Sequence, residues 1–202
     1  MSTPRGPGKR AGLDTDQVVA AARAVLREDG IEALSLRAVA RRLGVAPNTM
    51  YSHVASKDDL LDLALDDVLG GVALPAEEDL RRDPWGAVRA IMLGSYDVLL
   101  AHRGLVPAYL ARQGARGVRA QRLGAVTIRA LGNAGLDEPA ASEAMRVLIV
   151  NTVGFAAFSA SPQDAGPGFI GADELRRNFE NGLDWLLAGI GTRPTQPATR
   201  QG

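Results

Sequence analysis

Apolar residues recur every three or four positions along most of the chain, with polar residues between them. The first run consists of Val18, Ala21, Ala22, Val25 and Leu26. This spacing puts the apolar side chains on one face of an α-helix and Gly30 ends the run, so the pattern predicts a helix over residues 15–28. Asp14 stands just before the helix with Gln17 three residues later, which is the arrangement of a capping box.

Three more helical segments are predicted before residue 70. Ser35 suits the N-cap of the second helix, which Gly44 ends, and Pro47 suits the first turn of the third. Ser56 caps a fourth helix, whose apolar stripe consists of Leu60, Leu61, Ala64, Leu65, Val68 and Leu69. Its aspartates are predicted mostly on the opposite, solvent-facing side, and they are Asp58, Asp59, Asp62, Asp66 and Asp67.

The remainder of the chain continues the helical pattern after an acidic connector. The predicted helical segments cover residues 84–101, 105–113, 117–133, 139–160 and 172–189. Asp83-Pro84 gives the first of them a cap followed by proline at the first helical position. Residues 161–171 are predicted as a loop, and the chain shows neither a period-two strand pattern nor an internal repeat. The sequence therefore predicts an all-α fold.

Composition excludes several classes of protein and site. The 202 residues carry no net charge, are 46% hydrophobic and include no cysteine, which excludes disulfide scaffolds, thiolate metal sites and cysteine nucleophiles. The longest mostly apolar run, residues 147–160, is shorter than the roughly 20 residues that cross a bilayer. No apolar run follows the basic N-terminus as a signal peptide requires. We therefore expect a cytoplasmic protein that does not contact a membrane.

Charge is unevenly distributed along the chain. Residues 1–57 hold nine Lys and Arg against five Asp and Glu, whereas residues 58–83 hold two arginines against nine acids. A basic first quarter followed by an acidic stretch fits a polyanionic partner for the first part, although chance variation of surface charge gives the same count. Residues 1–12 are basic and rich in Gly and Pro, without large apolar groups, so they are predicted to form a flexible arm.

Residues 34–54, LSLRAVARRLGVAPNTMYSHV, have the pattern of a helix, a glycine turn and a second helix. In a helix-turn-helix motif the second helix enters the DNA major groove with its N-terminal residues leading. The short polar side chains of Asn48, Thr49 and Ser52 lie at that leading end and suit base edges and phosphates. A helical hairpin inside a plain bundle gives the same pattern, so the pattern alone leaves both interpretations open.

Residues 13–65 resemble the DNA-binding domain of the TetR family of bacterial transcriptional repressors, particularly the tetracycline repressor branch. The resemblance covers about a quarter of the chain and rests on the stretches LDTDQVV, GIEALSLRAVARRLGV and TMYSHVASKDDLLDLAL. Its most specific part is Tyr51-x-His53-Val54 followed by Ser56-Lys57. The resemblance implies a three-helix DNA-binding domain with a linker helix over residues 13–70.

The resemblance also implies individual roles in DNA binding. Arg37 matches a position that reaches a guanine, where a bidentate contact discriminates by about 1–3 kcal/mol. Pro47, Asn48 and Thr49 match the positions that set operator specificity. The tetracycline repressor carries different residues at the first two, so its operator does not transfer to this chain.

Three further positions match phosphate and backbone contacts, and they are Tyr51, His53 and Lys57. For His53 a half-buried, hydrogen-bonded imidazole is the alternative, and for Arg37 a solvated or phosphate-paired side chain. Met50 and Val54 are assigned to the core. The basic arm either lies in an adjacent minor groove, as the extensions of some family members do, or is a solvated tail.

For the second part of the chain the resemblance implies a helical ligand-binding and dimerisation domain over residues 75–190, followed by a disordered tail over 191–202. Large side chains set among many Ala and Gly residues are candidates to line a ligand pocket, with core packing as the alternative. The candidate ligand-binding residues are Met92, Tyr96, Tyr109, Asn151 and Phe155. The family's last two long helices form a four-helix dimer interface, and the candidate contacts there are Phe158, Trp185 and Leu186.

The resemblance implies a homodimeric repressor that binds a palindromic operator in double-stranded DNA and is released by a small-molecule ligand. The alternative is a helical ligand sensor that acts through a protein partner and binds no operator. An enzyme is disfavoured, because the sequence has no nucleophile elbow, zinc-protease or phosphate-binding-loop motif. We therefore expect no catalytic residue, no metal site and no cofactor.

Overall fold

The computed structural model of the chain describes residues 13–160 and 170–192. The basic arm over residues 1–12, most of the predicted loop after residue 160 and the tail from residue 193 lie outside the described residues. Within the described ranges the structure is helical throughout, which confirms the predicted all-α fold.

The described residues form ten α-helices. They are α1 (Thr15–Asp29), α2 (Leu36–Leu43), α3 (Pro47–Met50), α4 (Lys57–Leu69), α5 (Glu77–Arg82), α6 (Pro84–Ala101), α7 (Val106–Ala111), α8 (Val118–Asn133), α9 (Glu138–Ala160) and α10 (Ala172–Gly191). A 3₁₀ turn, Arg103–Leu105, precedes α7. Helix α5 was not predicted, because its six residues are too few to show a period. It has acidic residues in its first turn and arginines in its last, which complements the helix dipole.

The predicted helix starts are stabilised by local hydrogen bonds. The Asp14 carboxylate accepts the Gln17 N–H at 2.7 Å, and the Gln17 side chain accepts the Asp14 N–H at 3.1 Å, which completes the capping box. The Ser35 hydroxyl accepts the Ala38 N–H at 3.1 Å. Gly44 ends α2 with φ at 67°, a left-handed conformation that favours glycine. Helix α2 is thus fixed at both of its ends.

The chain divides into two compact units, and the division falls inside α4, between Ala64 and Leu65. In unit 1, α1, α2 and α3 pack around a small apolar core. The residues of this core that are wholly shielded from solvent are Val18, Ala22, Val39, Ala40, Met50, Leu60 and Ala64. Such a core holds the helix-turn-helix as one body, so its surface residues have fixed neighbours.

Unit 2 is built around α9, which packs against α6, α7, α8 and α10. Tyr96 of α6 is fully buried, and its ring stacks on Phe179 of α10 with centroids 4.3 Å apart. An ion pair also joins these helices, with Arg89 Nε 2.6 Å from an Asp184 carboxylate oxygen. Hydrogen bonds from Arg89 hold the pKa of Asp184 below its ordinary value. Helix packing, ring stacking and an ion pair thus hold α6, α9 and α10 together in unit 2.

Helix α9 is also the one helix in the described ranges that has the length and apolar composition of a membrane span, with a mean hydropathy of 1.2 over its best window. Core helices of soluble proteins pass the same test. Although other helices cover part of α9, a row of apolar residues on its surface is left exposed, and these are Val147, Val150 and Phe158.

The prediction that the aspartates of α4 face solvent is wrong for Asp66, which is only 6% exposed. Its carboxylate accepts the backbone N–H groups of Arg119 at 3.1 Å and of Ala120 at 2.9 Å. These donors belong to the first turn of α8, which begins more than fifty residues later in the chain. The helical pattern within α4 contained no signal of this partner.

Candidate DNA-binding surface and ligand cavity

Helices α2 and α3 form the helix-turn-helix of unit 1. The α3 helix is short, and the backbone N–H groups of His53 and Val54 both bond to the Met50 carbonyl at 2.9 Å. Met50 and Val54 are buried, as the resemblance implies. Their anchoring leaves the opposite face of this segment at the surface.

The eight predicted DNA-binding residues all lie in unit 1, and all except half-buried His53 are exposed. Tyr51 is 64% exposed, which is high for a large aromatic ring and leaves its hydroxyl accessible to a ligand. The Ser52 hydroxyl donates to the Thr49 carbonyl at 2.8 Å, so its lone pairs face outward as acceptors. The structure places these residues without testing their contacts with DNA, and their roles stay predictions.

The electrostatics of this surface are those of an anion-binding face. Between Glu32 and Asp58 the sequence has no acidic residue. The charge of Arg42, in this stretch, is neutralised by a bidentate ion pair in which its Nη1 and Nη2 donate to the Glu28 carboxylate oxygens at 2.7 and 2.8 Å. Hydrogen bonds from Arg42, and then from Arg27, hold the pKa of Glu28 below its ordinary value.

The other cations of the same stretch are exposed, and in the described ranges they form no ion pair; they are Arg37, Arg41 and Lys57. Arg41 is an addition to the predicted site, since the resemblance gave it no role. Its exposure on the same short helix as Arg37 is the signal that identifies it. The three uncompensated charges make the surface attractive to phosphates.

Unit 2 contains a cavity of about 610 Å³, within the range typical of small-molecule sites. Helices α6, α8 and α9 form most of its wall, and Leu69 of α4, Tyr109 of α7 and the segment 113–116 before α8 form the rest. Small residues of α8 create the space, since Ala120, Gly124 and Ala125 all line it. No group of three or more His, Asp or Glu side chains in the described part of the chain is placed to hold a metal.

The cavity offers an apolar environment with hydrogen-bond acceptors. Its hydroxyls donate to backbone carbonyls of the protein: Ser95 to Ile91 at 2.7 Å, Thr127 to Leu123 at 2.9 Å and Thr152 to Leu148 at 2.8 Å. Only their lone pairs are therefore open to a ligand. Arg116, an exposed residue, is the one charged side chain among the described residues that line the cavity. Gln113 and Gln121 add side-chain amides to this wall, which thus suits an uncharged, largely apolar molecule.

Two of the five predicted ligand-binding residues, Met92 and Tyr109, line the cavity. The other three lie elsewhere. The ring of Tyr96 stacks on Phe179 of α10, and its hydroxyl lies 2.8 Å from the Ser159 hydroxyl of α9. Phe155 packs against Phe179 with centroids 5.7 Å apart. Asn151 has a buried amide nitrogen with no hydrogen-bond acceptor among the described residues.

Residues of α8 line the cavity although the sequence gave none of them a role. The prediction rested on large side chains, and for Tyr96 and Asn151 also on a polar group, whereas small residues of α8 leave the space here. The available signal was the spacing of Ala120, Gly124 and Ala125, which puts three small residues on one side of the helix.

The predicted dimer contacts are surface residues of unit 2. Phe158 of α9 is 72% exposed and Trp185 of α10 is 75% exposed, while Leu186 is half-buried. Exposed apolar groups of this size on neighbouring helices are typical of a protein contact surface. No second chain is present, so the contacts stay predictions.

Comparisons with known proteins agree with the helix-turn-helix assignment. The family model described as bacterial regulatory proteins, tetR family, matches residues 18–64. An HTH-type transcriptional regulator of Saccharopolyspora erythraea is 49% identical over 65 residues, which cover 32% of this chain and 28% of that protein. This chain therefore matches less than a third of that curated relative's length.

Solved structures match over most of the chain. A TetR variant from Acinetobacter baumannii AYE, in complex with minocycline, superposes with a TM-score of 0.73 at 28% identity and covers 88% of this chain and 96% of its own. BioQ with its double-stranded DNA operator superposes with a TM-score of 0.66 at 27% identity and covers 90% of this chain and 99% of its own. The likeness thus extends through unit 2.

Filling the cavity from α8 tests whether it binds apolar molecules. We expect the uncharged dye Nile red to bind the protein and Gly124→Leu to weaken binding about tenfold, because the new side chain takes up ligand space worth roughly 1.4 kcal/mol. A β-carbon at Gly124 lies at ordinary contact distance, 3.5 Å, from the Met145 sulfur, so the wall can accept it. Fluorescence titration measures the affinity.

Gly132→Leu is the matched control, because Gly132 is an exposed residue of the same helix with open space around it and lies outside the cavity wall. Both substitutions improve helix propensity, so neither is expected to lower the melting temperature through the backbone. Equal dye affinity in Gly124→Leu and the unmodified protein would show that the dye binds elsewhere.

Proposed function

Because the chain belongs to the TetR family of bacterial regulatory proteins, we propose that it is a cytoplasmic DNA-binding transcriptional regulator. It acts as a homodimeric repressor that binds a palindromic operator and leaves the DNA when a small molecule fills its cavity. The observation that carries this proposal is the exposed, acid-free helix-turn-helix surface of unit 1. We propose neither a catalytic nor a membrane role.

In DNA binding, one group of residues positions the protein on the duplex and another group reads the base sequence. Tyr51, His53 and Lys57 contact phosphates and fix the register of the motif on the duplex, which carries no sequence information. Asn48 and Thr49 at the start of α3, with Pro47 before them, read base edges in the major groove, and Arg37 contacts a guanine. The likeness to BioQ, which was solved with its DNA operator, supports DNA binding by this fold.

The exposed apolar surface of α9 and α10 supports the proposed dimer interface. Burying Phe158 and Trp185 against a second copy removes apolar area from water, and a two-fold contact of this kind closes on itself. A two-fold dimer presents two copies of α3 about 34–36 Å apart, one turn of DNA, which requires an operator of inverted repeats.

Ligand release requires that the effector bind one dimer geometry better than the other. The cavity wall selects an effector that is apolar and uncharged, since it offers no counter-charge other than Arg116 at an exposed position. The likeness to the minocycline-bound TetR variant supports a ligand site within this fold.

Selection of bound duplexes from a random DNA pool tests the operator. We expect enrichment of an inverted repeat and a binding constant that falls steeply with salt, because phosphate contacts release counterions. Tyr51→Ala and Lys57→Ala should weaken binding to all sequences about tenfold or more, whereas Asn48→Ala and Thr49→Ala should change which bases are enriched.

Asp62→Ala serves as the control for these variants, since Asp62 is an exposed residue of α4 without a proposed DNA contact. No enrichment from a folded, dimeric protein would contradict the operator proposal and favour a sensor that acts through a protein partner.

Charge introduced into the exposed apolar surface tests the dimer. Phe158→Glu combined with Trp185→Glu should convert the protein to a monomer by sedimentation velocity, because each carboxylate loses hydration in the interface. Leu110→Glu, at an exposed apolar residue of α7, should leave the dimer intact. Helix content by circular dichroism should stay unchanged in both, and a doubly charged variant that still sediments as a dimer would place the interface elsewhere.

A further inference from the structure

We propose that Asp66 is the positioning residue through which the occupied cavity acts on α4. This inference rests on the proposed function only in taking the cavity as a ligand site. Asp66 belongs to the last third of α4, and its buried carboxylate holds two N–H groups of the first turn of α8.

The Asp66 carboxylate takes the place of the side chain that normally caps a helix. The first N–H groups of a helix have no partner inside it, and a Ser, Thr, Asp or Asn at the N-cap usually accepts one of them. The N-cap of α8 is Gly117, which has no side chain to do so. The cap of α8 therefore comes from α4.

Glycine is required at position 117 because a side chain there would occupy the space of the Asp66 carboxylate, not because the backbone conformation demands glycine. Its φ of −75° is open to any residue. A β-carbon there would lie 2.2 Å from Asp66 Cγ and within 2.6 Å of both carboxylate oxygens, which no real contact allows. Asp66 and Gly117 are thus a matched pair, in which one residue supplies the cap and the other makes room for it.

The donors that Asp66 holds are part of the cavity wall. Ala120, whose N–H it accepts, lines the cavity, as do the residues that lead into α8 from Gln113 to Arg116. A ligand that shifts the first turn of α8 therefore shifts the groups to which α4 is attached. Leu69, three residues after Asp66, lines the same cavity.

Two other contacts join α4 to the cavity wall, and both are weaker candidates. The Tyr109 hydroxyl donates to the Leu65 carbonyl, but this bond joins neutral groups. Arg119 pairs with Asp67 at 3.1 Å, but its side chain is 49% exposed and the pair is screened by solvent. The Asp66 bonds are charge-assisted, paired and buried, so they resist separation most.

A double substitution separates the role of Asp66 in coupling from its role in stability. In Asp66→Ala/Gly117→Ser, the new serine caps α8 from its own N-cap, and the space it needs is vacated by the carboxylate. Asp66→Ala alone should lower the melting temperature, and adding Gly117→Ser should recover most of the loss. The Asp66 link between α4 and α8 is absent in both variants, whereas the Arg119–Asp67 pair remains.

Hydrogen–deuterium exchange with Nile red in the cavity measures the coupling on the full chain. In the unmodified protein, saturating dye should slow exchange about threefold or more both in α8 and in residues 65–68 of α4, none of which lines the cavity. In the double variant, dye bound with similar affinity should slow exchange in α8 but not in these residues of α4. The matched control Asp67→Ala, one residue away, should keep the response of α4.

A response of α4 that persists in the double variant, or that is absent from the unmodified protein, overturns the proposal, as does failure of the dye to bind. Gly124→Leu provides a second perturbation without dye, since it fills the cavity from α8. It should alter exchange in α4 only when Asp66 is present. No DNA enters these measurements, so failure of the operator proposal leaves their result standing and the two can be told apart.

Discussion

A carboxylate that is taken out of water needs hydrogen-bond donors, and for Asp66 the first turn of α8 supplies them. This requirement fixes several features of unit 2 together. Gly117 has to lack a side chain, the first turn of α8 has to lie against α4, and residues of both helices line the cavity. The ligand site and the last residues of α4 are therefore parts of one hydrogen-bonded arrangement.

The two units divide the chemistry between them. In unit 1 the helix-turn-helix stretch from residue 33 to 57 contains no acidic residue, and Arg42 of that stretch is held by Glu28 of α1. In unit 2 exposed Arg116 is the one charged side chain among the described residues that line the cavity, and the hydroxyl protons there are donated to backbone carbonyls. One surface thus suits a polyanion and the other an uncharged apolar ligand. Helix α4 contributes residues to both units along the chain.

Features set by near neighbours in sequence could be predicted, and features set by distant contacts could not. The start of α1 follows from Asp14 and Gln17, which lie within four residues of each other, and the end of α2 follows from Gly44. The burial of Asp66 depends on donors more than fifty residues away, and the cavity depends on where three helices leave space. Tyr96 shows the same limit, because its sequence neighbours do not reveal that Phe179 covers its ring.

Ligand binding in the cavity and DNA binding are proposed to weaken each other. Thermodynamic linkage requires the effect to be reciprocal, so it can be measured from the ligand side. The direct measurement is the dissociation constant of Nile red from the protein, with and without a saturating duplex selected by the protein itself. We expect the duplex to weaken dye binding about fivefold or more, by the same factor by which the dye weakens DNA binding. Equal dye affinity in the two conditions would contradict this coupling.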